Sequence, residues 1–340
     1  MGGKFVIQSL SVSMNAYVGP VAEKLATLNP DAEVRPFILD GDVKQMVHDA
    51  EVFLVERFPV TKEIIDSSPR LEMIYRPGAK VQNVDVPYAT SRGVLVARGR
   101  TENERSGAVA TAEGVLFIIM GCAKKYNQTR LSFEERKMGV PPTLELSGKT
   151  LGIIGFGSVG REVGRFAKAL NMKVMGIKRT SDSELAREID FLGGLDSIKK
   201  VLGESDFVLL SMPASKENTG MFDFNMISQM KKTSYLINIA DSRLVVKEAL
   251  LRAIDEGVIA GAGLDVYWDE PPDPNDPVLH NPRIFTTPHT AGLTTESYDR
   301  LSQWVAEDIQ RVITGVAPRN LLNPQAVDLW QRRRREIRSG

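Results

Sequence analysis

The chain has 340 residues, 42% of them apolar, with 43 Lys+Arg balanced by 43 Asp+Glu. That length suits two ordinary domains with packed cores. Zero net charge excludes a global electrostatic pull toward nucleic acid or membrane surface, and one cysteine excludes a disulfide framework. Short apolar, β-like runs at 5–10, 34–38, 52–55, 73–75 and 94–97 alternate with helical or turn segments, the pattern of a parallel α/β sheet. A long helix is predicted over 106–130, apolar through its middle. Its apolar run at 114–123 is too short to span a bilayer. Cys122 lies in that run and reads as a buried, inert thiol. No long apolar stretch precedes Ser11, so the expectation is a cytoplasmic protein without a signal peptide.

Pro141-Pro142 marks a loop. Then an apolar run from Leu151 to Ile154 enters G-F-G-S-V-G, a helical pattern follows, and a second apolar run ends at Lys178-Arg179-Thr180. Strand, glycine turn, helix and strand place G-x-G-x-x-G where a dinucleotide fold requires it. Gly155 permits a tight turn, Gly157 a close approach of backbone to pyrophosphate, and Gly160 close packing of helix on strand. The helix beginning near Val159 turns its amides and positive dipole end toward the phosphates. An NAD site commonly carries an acidic residue about 20 positions on, bonded to the ribose 2′-hydroxyl. Lys178, Arg179 and Thr180 stand there instead and suit a 2′-phosphate, which favours NADP(H) over NAD(H), with Asp182 close by as the opposing sign.

Further strands are predicted at 207–212, 235–240, 259–267 and 284–287, with a last helix over 295–314 that crosses back to the first domain. The domains are expected at 107–294 for dinucleotide binding and at 1–106 plus 295–340 for substrate. Arg332 to Arg335 form a charge run, read as solvated or as a contact to a partner subunit or phosphate. Among His48, His280 and His289, only His289 follows an apolar strand at the sheet edge where ligands bind. Glu270 follows another such strand. A carboxylate beside an imidazole fixes its tautomer, and such a histidine can transfer the proton that accompanies hydride transfer. The histidines lack ligand spacing for a metal.

Seven segments in order resemble the D-isomer-specific 2-hydroxyacid dehydrogenase family, over nearly the whole chain. They are R-P-G-A-K-V-Q-N-V-D (76–85), T-A-E-G (111–114), the glycine loop, S-M-P-A-S-K-E-N-T (211–219), I-N-I-A-D-S-R (237–243), G-L-D-V-Y-W-D-E-P (263–271) and T-P-H-T-A-G (287–292). The resemblance implies two doubly wound domains, Rossmann-like and flavodoxin-like, with the active site in the cleft between them. It implies a homodimer built on the helix from Ser106, and reduction of a small 2-oxo acid of glyoxylate or hydroxypyruvate type. His289 and Glu270 would be the paired acid and base. Asp265 would contact the nicotinamide carboxamide. Met212, Pro213 and Ala240 would line the cofactor channel, with Phe156, Ser158, Val159, Thr219, Ile239 and Gly292 completing the cofactor contacts. Amides near Ala79, Lys80 and Val81, with Arg76, would hold the substrate carboxylate.

One position departs. Where the family places a carboxylate-clamping Arg, this chain has Asp241, and Arg243 follows two residues later. Like charges about 4 Å apart cost about 4 kcal/mol at an effective dielectric near 20, enough to weaken a 2-oxo acid complex by orders of magnitude. Lys80 and Gln82 also depart, standing where a small residue and Asp are usual. Three readings stay open. Arg243, Arg76 or Lys80 re-supplies the cation; the substrate is a different carbonyl or bears a cation for Asp241; or the chain binds dinucleotide as a sensor or scaffold with little activity.

Overall fold

The computed structural model describes residues 4–10, 15–56, 58–77, 83–99, 105–180 and 184–339. The chain divides into two compact units, Met1–Glu104 with Thr295–Gly340, and Arg105–Thr294. Each is built on a parallel sheet.

In the first unit the strands are β1 (Phe5–Ser9), β2 (Ala32–Arg35), β3 (Val52–Leu54), β4 (Met73–Arg76) and β5 (Leu95–Arg98). Their order is β2-β1-β3-β4-β5, the flavodoxin-like doubly wound arrangement. β1 and β3 are buried along their whole length, as expected of apolar runs covered on both faces. The strand predicted at 34–38 lies earlier, because Pro36 has no N–H to give to the ladder. The chain leaves the sheet there, and the Phe37 amide donates to Asn15 Oδ1 at 2.7 Å. The helix Thr295–Ile313 packs against the helix Asn15–Leu28 of this unit.

The arginine-rich tail is not a solvated run. It forms the helix Val327–Ser339, which docks on the unit's own sheet. Trp330 is fully buried, and its Nε1 donates to Glu72 Oε2 at 3.1 Å. Arg334 and Arg338 pair with the same buried carboxylate, and Arg333 donates to the carbonyls of Leu71 and Pro69. Arg332 and Arg335 stay exposed.

The second unit carries β6 (Thr150–Ile154), β7 (Lys173–Ile177), β8 (Phe191–Gly193), β9 (Phe207–Leu210), β10 (Tyr235–Asn238), β11 (Gly261–Leu264) and β12 (Ile284–Thr286). Their order is β12-β11-β10-β9-β6-β7-β8, the Rossmann order extended by one strand. The order reverses between β6 and β9, and there the loops at the strands' C-terminal ends open a crevice. The helix predicted over 106–130 is two helices, Arg105–Ala123 and Tyr126–Glu134, whose axes bend by 48°. Lys125 makes the break in the left-handed region, at φ 47°. The bend sets Tyr126 edge-on to Phe285 at the end of the sheet, with ring centres 6.0 Å apart. Among the described residues, no single helix is long and apolar enough to cross a membrane.

Candidate functional site

The glycine loop follows β6 at the reversal point. Gly155 has φ +103°, and a Cβ there would meet Met212 Cβ and backbone at 2.7 Å. This position therefore tolerates only glycine, and the contact joins the loop after β6 to the loop after β9. A Cβ on Gly160 would sit 2.8 Å from the Gly155 carbonyl, so the helix Ser158–Ala169 lies directly on the turn. Over Gly157 a Cβ would meet nothing within 4 Å. That open cradle, facing the first-turn amides of Ser158, Val159 and Gly160, fits a pyrophosphate. Phe156 belongs to the core: it is 1% exposed and packs against Gly164 and Gly176.

Lys178, Arg179 and Thr180 stand at the end of β7, the last two exposed. The Lys178 amide is held by the Gly193 carbonyl of β8 at 3.0 Å. Asp182 lies outside the described residues. In the loop after β9, Asn218 fastens the turn: its Nδ2 donates to the Pro213 carbonyl and its Oδ1 accepts the Ser215 amide. The Thr219 hydroxyl donates to the Ser215 carbonyl.

At the end of β10, buried Asn238 accepts the amides of Ala240 and Asp241 on Oδ1 and donates to the Asp241 carbonyl. This side chain shapes the turn that presents Ile239, Ala240 and Asp241. Asp241 and Arg243 form a two-pronged ion pair. Arg243 Nε donates to Asp241 Oδ1 at 2.9 Å and Nη2 to Oδ2 at 2.7 Å, while the Arg243 amide also donates to Oδ1. The Asp241 hydrogen bond and charge hold the Arg243 guanidinium above its usual value. The repulsive charge expected from the sequence is thus matched by the cation two residues on.

The loops after β11 and β12 bring Glu270 and His289 together. His289 Nδ1 lies 3.0 Å from Glu270 Oε2 and 3.1 Å from Oε1. An ionised carboxylate only accepts, so Nδ1 carries the proton in this pair. His289 has φ +57°, a left-handed conformation that costs a bulky residue about 1–2 kcal/mol. It persists because its neighbours over-determine it. The His289 amide donates to the Thr287 carbonyl at 2.9 Å. Asp265, 2% exposed, accepts the Thr287 hydroxyl at 2.6 Å, the Thr290 amide at 2.8 Å and the Ala291 amide at 3.1 Å. Burial pushes the Asp265 carboxyl up, opposed by these three donors and by His289. From the other side the helix Arg105–Ala123 presses on the same loop: a Cβ on Gly114 would fall 2.2 Å from the Ala291 carbonyl, and one on Gly292 2.8 Å from Thr111 Oγ1.

Arg76 belongs to the other unit, at the end of β4, where its Nε donates to the Glu56 carbonyl at 3.1 Å. Ala79, Lys80 and Val81 lie outside the described residues. Sequence reasoning missed the supporting groups: Asn238, Thr287 and the amides of Thr290 and Ala291. The segments 111–114 and 287–292 were visible as motifs, but nothing in either says that one packs on the other.

A Rossmann sheet with a glycine cradle and a carboxylate–imidazole pair at its C-terminal edge defines a dinucleotide-dependent oxidoreductase. The family described as D-isomer specific 2-hydroxyacid dehydrogenase, NAD binding domain, matches residues 116–291, over half of the chain. A D-3-phosphoglycerate dehydrogenase of Archaeoglobus fulgidus is 34% identical over 79% of this chain and 50% of its own, so this chain spans half the length of that relative. A glyoxylate reductase of Korarchaeum cryptofilum is 32% identical over 79% of this chain and 81% of its own. In fold, the chain is similar to the D-lactate dehydrogenase of Aquifex aeolicus, solved with NAD and lactic acid, at TM-score 0.75 and 23% identity, covering 94% of this chain and 99% of that one. The chain belongs to the D-isomer-specific 2-hydroxyacid dehydrogenase family, NAD-dependent oxidoreductases acting on CH–OH groups, and its second unit binds a nicotinamide dinucleotide.

Proposed function

We propose that this chain reduces a small 2-oxo acid to a 2-hydroxy acid, of glyoxylate or hydroxypyruvate type, with NADP(H) preferred over NAD(H). The observation that carries the reading is the His289–Glu270 pair, held in a left-handed turn at the edge where a doubly wound sheet binds its ligand. When bound, the nicotinamide supplies the hydride equivalent. Gly155, Gly157 and the amides of Ser158, Val159 and Gly160 hold the phosphates. Lys178, Arg179 and Thr180 meet the 2′-phosphate, while Met212, Pro213, Thr219, Ile239, Ala240, Asp265 and Gly292 frame the rest. His289 gives its proton to the carbonyl oxygen as the C–H bond forms. Glu270 stabilises the imidazolium before transfer and fixes the tautomer that remains. The unit built on β1–β5 would hold the substrate's carboxylate through the segment after Arg76. Oxidation of NADPH and NADH, followed against glyoxylate, hydroxypyruvate and 3-phosphohydroxypyruvate, tests the reading. Tight dinucleotide binding with no turnover of any of them would sink it.

The Asp241–Arg243 pair favours a second reading. With the guanidinium already engaged, the site presents a neutral pair rather than a carboxylate clamp, which suits a substrate whose carbonyl is not flanked by a free carboxylate. Turnover of aldehydes or esters above that of 2-oxo acids would select it. The exposed Phe117, Leu131, Phe133 and Met138, on and after the two helices of the second unit, suit a second copy of this chain. Sedimentation analysis showing a monomer at micromolar concentration would remove that partner.

A further inference from the structure

Tyr267 has no assigned part in the site, yet it touches both of the loops that make it. It is 5% exposed and lies on the segment after β11, between Asp265 and Glu270. Its amide donates to Glu270 Oε1 at 3.1 Å. Its hydroxyl donates to the Thr287 carbonyl at 2.8 Å, the same carbonyl that accepts the His289 amide. The bonds close a ring: Tyr267 amide to Glu270 carboxylate, carboxylate to His289 imidazole, His289 amide to Thr287 carbonyl, and that carbonyl back to the Tyr267 hydroxyl. One residue, through its amide and its hydroxyl, thus links the loop that carries the carboxylate to the loop that carries the imidazole.

The hydroxyl is a permanent donor. Burial, with Asp265 nearby, raises its ionisation well above the ordinary tyrosine range, so it keeps its proton at any pH at which the enzyme works. The bond also lands where rigidity matters. Thr287 is two residues before His289, and rotation of the Thr287 carbonyl would release the left-handed turn that aims the imidazole at Glu270.

We infer that Tyr267 is a positioning residue, whose hydroxyl holds the His289 turn in register with Glu270. The inference rests on the reading of His289 and Glu270 as acid and base, and it adds a residue that acts only through them. The Tyr267→Phe variant removes one oxygen and keeps the ring in its packing. The Thr287 carbonyl retains the His289 amide, so no buried acceptor is orphaned.

The test is histidine-ring NMR on the full chain, which has three histidines, His48, His280 and His289. The His289 signal is assigned by its loss in His289→Ala. In Tyr267→Phe its titration midpoint moves to lower pH, toward that of Glu270→Gln, because a loosened carboxylate favours the imidazolium less. His48 and His280 keep their midpoints, which excludes a general structural effect. With glyoxylate and NADPH, kcat falls about tenfold while KM holds, and Tyr267→Phe adds nothing on a His289→Ala background. A His289 titration that superimposes on the parent's overturns the inference. Absence of turnover with glyoxylate, hydroxypyruvate and 3-phosphohydroxypyruvate in the parent overturns the functional reading alone, and the titration still decides the role of Tyr267.

Discussion

Asp241 is the residue on which the substrate question turns. Taken from the sequence, it is a charge placed against an anionic substrate. In the structure it accepts both prongs of Arg243 and also caps the short turn Ser242–Leu244 through the Arg243 amide. The side chains are 24% and 56% exposed, so the pair itself contributes little to stability, and its effect is to occupy the guanidinium. Asp241→Asn keeps the cap acceptor and releases the charge. The expected outcome is a KM for glyoxylate lowered about tenfold, roughly 1.4 kcal/mol, with the gain lost when Arg243→Ala is added. An unchanged KM would show that Arg243 does not reach the substrate. Lys178 and Arg179 are the residues on which the proposed NADP(H) preference rests. Exchanging both for Ser and Gln should weaken NADPH at least tenfold more than NADH, measured by fluorescence titration. Equal weakening would remove the 2′-phosphate from the reading.

The elements determine whether His289 is held at all. Its loop is pinned from one side by Asp265 at the end of β11 and from the other by the helix Arg105–Ala123. Gly114 is the point of closest approach, where even one methyl group would fall 2.2 Å from the Ala291 carbonyl. Gly114→Ala should therefore lower kcat at least tenfold while dinucleotide affinity changes less than threefold, since the cradle at Gly157 lies on a different loop. The overpacking should cost about 1–3 kcal/mol in thermal unfolding. If turnover survives intact, the helix does not set the loop. The same helix shows why element ends are hard to read in advance. The helix predicted over 106–130 runs on past Ala123, but Lys125 adopts a left-handed backbone and turns the chain so that Tyr126 can meet Phe285. That is a contact from 159 residues away in the chain, and no window of local sequence contains it.

At the level of the folded chain, the C-terminal helix ties the first unit to its own beginning. Glu72 is fully buried just before β4, and it is neutralised by Arg334 and Arg338 with help from Trp330. Arg334→Ala should lower the unfolding free energy by about 2 kcal/mol, because it leaves a buried carboxylate short of a charged donor. Arg332→Ala, on the exposed face of the same helix, should change it by no more than about 0.5 kcal/mol. Equal effects in urea titrations would mean that the tail is not docked through Glu72.

Periodicity and glycine spacing carry local conformation, and local conformation is short-range physics. The two alternating α/β patterns, the turn at Gly155 and the strand ends that bear Glu270 and His289 were therefore all readable along the chain. The seven family segments could be read in order for the same reason. What lay beyond that reading was which partner each polar side chain takes. Arg243 folding back on Asp241, Asp265 gathering the amides of Thr290 and Ala291, Tyr267 closing the ring through Thr287, and the arginine helix settling on Glu72 are all choices of one acceptor among many. A sequence states which donors and acceptors exist. Which of them meet depends on burial, since a polar group removed from water must take the partner that the packed chain brings within about 3 Å.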